Sequence, residues 1–520
     1  MNKELANLLF PAVEETIEDL KNKYPARGGA ALRLAPSPTG FMHIGGVWMG
    51  LCVTRLAKSL GGISYLRIED TDQKREVAGA AEMLRKDLAG FGIEFDEYDD
   101  VRGNSVGQYG PYTQSRRIGI YHVFAKHLVE VGRAYPCFCT PVMLQNMRKW
   151  QEKEGMRTGY NASVSRCRGL SLDDVRAKIS AGEDWVLRFD TTEDAGQKIE
   201  WEDLIRGKIS LPAEENHPII IKANGLPPYN FGHVVDDTMM RTSHILRGEE
   251  WLVSAAEHIQ IATSLGGVPY LYAHMPTISI LDNGNKRKLS KRKDKEAAAQ
   301  TFIDMGYPID AVIEYLITLA NSDFETWRSE NPDKHHTEFE FKFEKISRNN
   351  PLFDWAKLDS IAKEKIAKMT IAEINANVRE FFKDNPTVIG KMAQVEMMLA
   401  IGRETEKPRK DLAKYTDILS EYNFIFEKPV MPVFSAKEQK MVNDFAKIYS
   451  SADDKETWLG KLKSVAEKHG YVNVKMFKDN PEKYKGNTGD AAKIFSRALI
   501  GKEQSPDLYT VMKIMLGGKR

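Results

Sequence analysis

The chain has 520 residues, with 74 Lys and Arg against 73 Asp and Glu, and a formal net charge of +1. Because this length exceeds the size at which a single core usually stops growing, several domains in series are expected. The balanced charge argues against a protein that is basic over its whole surface and leaves a local basic face open.

Targeting segments and disulfides are not indicated by the sequence. Residues 1–30 carry several Glu and Asp and only a short apolar piece, which fits neither a secretory signal nor an Arg-rich transit peptide. We find no apolar run of the length that spans a bilayer, and four cysteines do not make a disulfide framework in a chain of this size. A cytoplasmic location without membrane contact is therefore expected.

The first half of an α/β domain is predicted to follow a helical extension over residues 1–30. Residues 31–35 have a strand pattern, a loop rich in proline and glycine comes next, a helical stretch runs through Lys58 to a glycine pair, and a second strand covers 63–68. A βαβ unit of this kind implies parallel strands joined by a right-handed crossover.

A similar alternation of strand and helix returns after residue 216. It is carried by "HPIIIKANG", "YNFGHVVDDTMM", "SHILRGEE", "WLVSAAEHIQIATSLGG" and "LYAHMPTISI". The fold class is therefore expected to be α/β, with a doubly wound parallel (Rossmann-type) sheet split by an inserted domain. The expected divisions are an extension over 1–30, the first half of the sheet over 31–111, the insertion over 112–225, the second half over 226–300, and helical segments over 301–370 and 371–520.

The C-terminal part is predicted to be an all-helical module. Strand signals thin out after about residue 300, and capping-box spacing appears at Thr370 with Glu373 and at Ser435 with Glu438. Amphipathic stretches then follow one another to the end of the chain.

Two segments are candidates for phosphate chemistry. The stretch "LRLAPSPTGFMHIGGVWMG", residues 32–50, places His43 and a glycine pair between a strand and a helix, where helix N-H groups and the helix dipole favour phosphate. The basic stretch "GNKRKLSKRKDK", residues 284–295, leaves the same edge of the sheet and has the charge to clamp a triphosphate. Taken alone, the first stretch also fits a tight turn with a surface histidine, and the second a solvated loop.

These two segments resemble the signature motifs of class I aminoacyl-tRNA synthetases. "HIGG" at 43–46 is similar to the first motif with its last histidine replaced by glycine, and "KLSKR" at 288–292 is similar to the second. Further stretches narrow the resemblance to glutamyl-tRNA synthetases of the bacterial type: "RLAPSPTG" (33–40), "RIEDTD" (67–72), "YGPYTQSRR" (109–117), "PPYNFGHVVDD" (227–237) and "ILRGEEWLVS" (245–254). The resemblance covers residues 31–320 and returns at "SRALIGKEQSPDLYTVM".

For the amino acid, the resemblance implies that Arg33 and Arg247 bind the two acidic groups of glutamate. Arg suits this role because its planar fork binds carboxylate through two hydrogen bonds. Glu69 would accept from the substrate ammonium, and the remaining glutamate-binding residues would be Ala35, Ser37, Tyr229, His233 and Trp251. A structural ion pair is the alternative for each arginine; it is favoured for Arg67 and disfavoured for Arg33.

For the nucleotide, the resemblance implies contacts to ATP and magnesium (Mg2+). The ATP-binding residues would be His43, Gly45, Gly46, Glu250, Lys288, Ser290, Lys291 and Arg292, among which His43, Lys288 and Lys291 would act in catalysis. No carboxylate cluster indicates a dedicated magnesium site, and Asp70 and Asp72 are interpreted as loop and helix-cap residues.

A cysteine trio lies in the expected insertion. Cys137, Cys139 and Cys167 fall close together, and three thiolates with one further ligand suit zinc (Zn2+). Some members of the resembled family bind zinc through Cys, Cys, Tyr and Cys, which here would add Tyr160, although six residues separate Tyr160 from Cys167. Buried free cysteines are the alternative, and the fourth ligand stays open.

The activity implied is that of a glutamate-tRNA ligase, which forms glutamyl adenylate from ATP and L-glutamate and then charges the terminal adenosine of tRNA(Glu). The resemblance also implies a 2'-hydroxyl attack, tRNA bound before activation, an insertion that receives the acceptor end, a stem-contact segment over 301–370 and an anticodon-binding module over 371–520. A monomer is expected. The alternatives are an enzyme that also charges tRNA(Gln), the short relative that modifies a tRNA base, which the long C-terminal module disfavours, and an inactive tRNA-binding paralogue.

Overall fold

The structure, a computed structural model, describes residues 2–72, 77, 79–290, 293–294, 297–430 and 432–517. By its internal contacts the chain divides into two units, Met1–Thr301 with Ile313–Asp354 and Phe302–Val312 with Trp355–Arg520. Among the helices of the described residues, none is long and apolar enough to cross a membrane.

The N-terminal extension is helical, as predicted, and the first half of the sheet follows it. Thr16 and Asp19 form a capping box at the start of the second helix. The elements in this part are α1 (Asn2–Leu9), α2 (Ile17–Lys23), β1 (Ala31–Leu34), α3 (Ile44–Ser59), β2 (Ile63–Leu66), α4 (Ala80–Gly90), β3 (Tyr98–Asp99) and β4 (Ser105–Val106).

The inserted segment has its own antiparallel sheet, in which three strands pair in the order β5-β6-β9. Its elements are α5 (Ile118–Glu130), β5 (Ala134–Cys137), α6 (Pro141–Lys153), α7 (Leu172–Ser180), β6 (Val186–Phe189), β7 (Lys198–Asp203), β8 (Gly207–Pro212) and β9 (Ile219–Ile221). The "HPIIIKANG" strand is β9, which pairs with β6 in this small sheet, so its predicted place in the second half of the main sheet is wrong. The core around it also receives Ala6, Leu9 and Phe10 from the N-terminal extension.

The second half supplies the remaining parallel strands of the main sheet. Its elements are α8 (Tyr229–Met239), β10 (His244–Gly248), α9 (Ala255–Ser264), β11 (Leu271–Met275), β12 (Ser279–Asp282) and β13 (Asn285–Lys288). Helix α9 begins at Ala255 because residues 249–251 form a single 3-10 turn. Helices α10 (Ala299–Asp304), α11 (Ile309–Ala320) and α12 (Asp323–Glu330) follow.

The main sheet has six strands in the order β2-β1-β10-β11-β7-β8. The first four pairings are parallel, and the β7-β8 hairpin closes the far edge with an antiparallel pair. Strand β1 is buried along its whole length, as expected for a parallel strand covered on both faces. Leu32 of β1 pairs with His244 of β10, so the two halves of the sheet meet at its centre, which confirms the predicted fold class.

The C-terminal unit is built mainly of helices, as predicted. Both expected capping boxes, Thr370 with Glu373 and Ser435 with Glu438, are present. The elements are α13 (Trp355–Lys368), α14 (Ile371–Phe381), α15 (Pro386–Ile389), α16 (Met392–Ala400), α17 (Asp417–Glu421), α18 (Asn423–Phe426), α19 (Ala436–Ile448), α20 (Lys455–Lys468), β14 (Tyr471–Val472), α21 (Val474–Asp479), β15 (Gly486–Asn487), α22 (Thr488–Ile500) and α23 (Leu508–Leu516).

Candidate active site

A cavity of about 740 Å³ lies beyond the carboxyl ends of β1 and β10, where ligands bind in doubly wound sheets. Residues from four parts of the sequence line it: the segment from the end of β1 to the start of α3, the turn after β10, the loop after β11, and the end of β13 with the two residues that follow. The sequence-predicted residues among them are Ala35, His43, Gly45, Gly46, Glu250, Trp251, Lys288 and Ser290. Residues predicted from segments more than 200 positions apart therefore line the same cavity.

His43 is the N-cap of helix α3. Its Nδ1 accepts a hydrogen bond from Gly45 N at 2.9 Å, so the ring carries its proton on Nε2 when it is neutral. This tautomer directs a donor, rather than a lone pair, away from the helix end. A histidine of this kind adds a hydrogen-bond donor to the positive end of the α3 dipole.

Gly46 is matched to the residue beneath it. A Cβ atom at this position would lie 2.3 Å from Met42 Sδ, and Met42 is buried. Gly46 therefore leaves room for the Met42 side chain, which a larger residue at position 46 would displace.

Lys288 and Glu250, which both line the cavity, form an ion pair. Lys288 Nζ donates to Glu250 Oε1 at 2.7 Å, and both side chains are partly exposed. The Glu250 carboxylate folds back over Gly248, where a Cβ atom would lie 2.0 Å from Glu250 Oε2. The pair therefore holds a cation and an anion at the cavity mouth, each within reach of a bound ligand.

The hairpin that presents Lys288 is fixed by charge. Arg287 donates to Asp282 at 2.6 Å and forms two bonds of 2.6 and 2.7 Å with Asp294, which also accepts from Ser290 N at 2.8 Å. These bonds lower the pKa of Asp294, with the Arg287 hydrogen bonds as the main cause. The predicted residues Lys291 and Arg292 lie outside the described residues.

Arg33 lies against a protein carboxylate. It projects from β1, is buried, and donates to Asp237 through Nε at 3.0 Å and through Nη2 at 3.2 Å. The structural ion pair that the sequence disfavoured for Arg33 is therefore present, and that expectation was wrong. Arg67 donates to the same Asp237 at 2.7 Å and to Glu69 at 2.9 Å, which confirms the structural ion pairs expected for it. Although burial opposes the charged form of Asp237, the adjacent arginines hold its pKa well below its usual range.

Arg247 has a different set of neighbours. Its guanidinium contacts His274 at 2.9 Å, His258 at 3.0 Å and His233 at 3.3 Å, and Nη2 donates to Trp251 O at 3.2 Å. Within the described residues, no carboxylate lies at ion-pair distance from this side chain. Arg33 is thus compensated by an anion, and Arg247 is not.

Among the remaining predicted glutamate-binding residues, Tyr229, His233 and Trp251 pack beside Arg247. The Tyr229 ring packs on Trp251 at 4.4 Å and on His233 at 5.5 Å between ring centroids. Burial raises the pKa of Glu69 although Arg67 opposes the shift. Ser37 is exposed in the loop after β1.

Asp70 and Asp72 both lie in loops, and neither is the N-cap residue of a helix among the described residues. Asp70 accepts from Ser115 N at 2.7 Å and from Ser115 Oγ at 2.5 Å at the start of a single-turn helix, and Asp72 is exposed in a loop. Neither residue lines the cavity.

The cysteine trio is assembled at the end of β5. Cys139 Sγ lies 3.7 Å from Cys167 Sγ, and Tyr160 Oη lies 3.4 Å from Cys137 Sγ and 3.5 Å from Cys139 Sγ. A tetrahedral zinc ion with Zn-S bonds of about 2.3 Å separates its sulfur ligands by about 3.8 Å. The three cysteine sulfur atoms lie within 4.8 Å of one another, so this donor set fits a zinc ion.

Sequence reasoning missed the residues that organise the two arginines. They are Asp237, which contacts Arg33 and Arg67, His258 and His274, which contact Arg247, and Asp203, which contacts His274. The spacing of His233 and Asp237, one helical turn apart on α8, was a signal for Asp237. Asp203 gave none, because it lies on a hairpin whose place in the sheet is not evident from its sequence.

Comparisons with known proteins agree on one family. The catalytic-domain family described as class I tRNA synthetases (E and Q) matches residues 30–365. The chain is 41% identical over 534 residues to a glutamate–tRNA ligase of Clostridium perfringens (strain SM101 / Type A), covering 99% of this chain and 97% of the relative, and 39% identical over 531 residues to that of Acetivibrio thermocellus. The solved structure of a glutamate-tRNA synthetase from Elizabethkingia anophelis superimposes with a TM-score of 0.74 at 25% identity, over 94% of this chain and 97% of that one.

Proposed function

Because the chain belongs to the glutamate–tRNA ligases of the class I tRNA synthetase family, we propose that it activates L-glutamate with ATP and transfers it to the 3'-terminal adenosine of tRNA(Glu). The observation that carries this proposal is the single cavity lined by "HIGG", the turn at Glu250 and the start of "KLSKR". In the first step a glutamate carboxylate oxygen attacks the α-phosphorus and pyrophosphate leaves. In the second, the 2'-hydroxyl attacks the acyl carbon and AMP leaves.

ATP binds in the cavity beyond β1 and β10. His43 donates from Nε2 to a phosphate oxygen, assisted by the α3 dipole, and Gly45 and Gly46 let the nucleotide approach the backbone. Lys288 exchanges its bond with Glu250 for a phosphate contact, which leaves the Glu250 carboxylate for the ribose. Lys291 and Arg292 complete the clamp, and Mg2+ arrives with the nucleotide rather than at a protein site.

Neither step needs a side-chain nucleophile. The substrate carboxylate and the tRNA hydroxyl are themselves the attacking groups, so the protein's part is to position them and to stabilise charge on the phosphates. The presence of His43 and Lys288 in the cavity lining supports this role of the protein.

Glutamate lies next to the nucleotide, with Arg247 as its main cationic contact. Arg33 contributes its remaining N-H groups, although Asp237 compensates its charge. Glu69 accepts from the ammonium, and Tyr229 packs against Trp251, which lines the cavity. Ala35 and Ser37 border the backbone side.

Zinc is held by Cys137, Cys139, Cys167 and Tyr160. The short contacts of Tyr160 Oη with two of the sulfur atoms support Tyr160 as the fourth ligand. When bound, zinc supplies a cross-link between the end of β5 and the segment that follows α6, and it takes no part in the chemistry.

The remaining parts of the chain bind tRNA. The inserted segment receives the acceptor end, and the helical C-terminal unit binds the anticodon. The protein works as a monomer in the cytoplasm; none of its four cysteines forms a disulfide, which supports a reducing compartment.

Charging of purified tRNA pools with labelled glutamate tests the proposal. Label on the glutamate-accepting tRNA alone is expected, and label on tRNA(Gln) as well would show the relaxed alternative. No label on any tRNA, from protein that unfolds cooperatively and binds ATP, would overturn the activity and favour the inactive paralogue.

A further inference from the structure

Arg247 is held on three sides by histidine. Its Nε donates to His274 Nε2 at 2.9 Å, and its Nη1 meets His258 Nδ1 at 3.0 Å and His233 Nε2 at 3.3 Å. All three rings are buried, with no solvent exposure. A guanidinium only donates hydrogen bonds, so each of these ring nitrogens has to present a lone pair.

Whether each ring can accept a hydrogen bond from Arg247 depends on the partner of its other nitrogen. A ring that accepts through one nitrogen carries its proton on the other, and that nitrogen then needs an acceptor. The structure provides one in each case: Asp203 Oδ2 at 2.5 Å from His274 Nδ1, Asp237 Oδ2 at 2.7 Å from His233 Nδ1, and Asn230 Oδ1 at 3.0 Å from His258 Nε2. The three rings are therefore fixed in the tautomers that point lone pairs at Arg247.

His233 Nδ1 has a second close neighbour, Arg33 Nη2, at 3.4 Å. The contact with Asp237 is 0.7 Å shorter, at 2.7 Å, and one nitrogen cannot both donate and accept. The proton therefore points at Asp237, and the Arg33 contact is not a hydrogen bond. Burial lowers the pKa of all three histidines, that of His233 to about 3, so each ring is neutral near pH 7.

The consequence is a difference in charge between the two arginines of the site. Asp237 sits directly against Arg33, whereas Arg247 contacts three neutral imidazole rings, the Trp251 carbonyl and the face of the Tyr272 ring at 4.8 Å. The nearest carboxylates act on Arg247 only through an intervening imidazole. Its guanidinium is thus fixed in position without being neutralised.

We propose that His233, His258 and His274 are positioning residues that keep Arg247 an uncompensated cation for a carboxylate of the substrate. The inference rests on the proposed function, in which Arg247 is the main cationic contact of glutamate. A carboxylate in place of any ring would hold Arg247 equally well, but it would compete with the substrate's carboxylate. Selection of an acidic amino acid follows, because only an anion gains from the unbalanced charge.

His258 offers a sharp test, because asparagine and aspartate have the same shape. In the variant His258→Asn, the amide oxygen replaces the ring lone pair, and the KM for glutamate should rise no more than a few-fold. In His258→Asp, a carboxylate contacts Arg247, and the KM for glutamate should rise a further 10- to 100-fold, as expected for losing about 1.5–3 kcal/mol from a hydrogen bond to a charged group. The KM for ATP should be equal in both variants, measured by tRNA charging at saturating tRNA.

Steric damage alone would change the two variants equally, so equal KM values for glutamate would overturn the proposal. His217→Asn is the matched control, since His217 is another buried histidine, hydrogen-bonded to Tyr135 at 2.6 Å in the inserted segment, and its KM for glutamate should stay unchanged. If the aspartate variant does not fold, His274→Gln and His274→Glu provide the same comparison. Wild-type protein that charges no tRNA would instead refute the proposed function itself.

Discussion

Replacing Asp237 with asparagine tests the charge arrangement beneath the site. The Asp237 carboxylate is fully buried and accepts from Arg33 at 3.0 Å, from Arg67 at 2.7 Å and from His233 at 2.7 Å. Arg67 keeps Glu69 as a partner in the variant, but among the described residues Arg33 keeps no anion. Leaving one buried charge unpaired costs about 3–5 kcal/mol, so the free energy of unfolding of the N-terminal unit should fall by that amount.

Hydrogen–deuterium exchange measures the change within the correct unit. The slowest amides of β1 and β10 report global opening, and a loss of about 3–5 kcal/mol should accelerate their exchange roughly 100- to 4000-fold. Glu183→Gln, which breaks the exposed pair with Lys178 at 3.1 Å, is the control and should change exchange by less than about fivefold. Acceleration below tenfold for Asp237→Asn, or equal effects of the two variants, would refute the reasoning.

Three further outcomes are expected. Lys288→Ala should lower kcat/KM for ATP about 100-fold in pyrophosphate exchange, because a phosphate contact is lost. Lys286→Ala on the same hairpin is the control and should change kcat/KM less than twofold. Equal losses in the two variants would show that Lys288 does not contact the phosphates. Elemental analysis should find about one zinc per chain, absent in Cys139→Ser and retained in Cys52→Ser, and a metal-free wild type would refute the zinc site. Protonation of His233 on unfolding should lower the stability of the N-terminal unit by about 2 kcal/mol between pH 7 and pH 5, because its pKa is about 3 when folded and about 6.5 when unfolded. His258 and His274, whose pKa values burial also lowers, add to the loss, so urea titrations should show a loss that is smaller by about 2 kcal/mol in His233→Asn.

Local chemistry made much of the architecture predictable from the sequence. Capping boxes such as Thr370 with Glu373 depend on residues three positions apart, and both expected ones are present. The βαβ unit at β1 was recognisable because proline, glycine and apolar periodicity change sharply there. The cavity-lining positions of His43 and Lys288 followed from motif order and from the rule that ligands bind at the carboxyl ends of parallel strands.

Pairings set by the register of distant strands were not predictable. Arg33 meets Asp237, 204 positions away, only because β1 and α8 pack together, and no local pattern indicates which carboxylate an arginine will contact. The β7-β8 hairpin likewise shows an alternating pattern that suits either sheet. Its position at the edge of the main sheet is what brings Asp203 to His274.

Because β1 pairs with β10, the main sheet cannot form until the ribosome has synthesised both strands. At about 5–20 residues per second, a ribosome needs roughly 10 to 40 s to extend the chain from the end of β1 at Leu34 to the end of β10 at Gly248. For that interval the nascent chain carries a buried-type strand with one edge unpaired, while the inserted segment already has the residues of its own sheet and core. Slow codons between residues 34 and 248 should therefore prolong exposure of the β1 edge, whereas slow codons after the end of β11 at Met275 should not affect the sheet, because all its strands have then been synthesised.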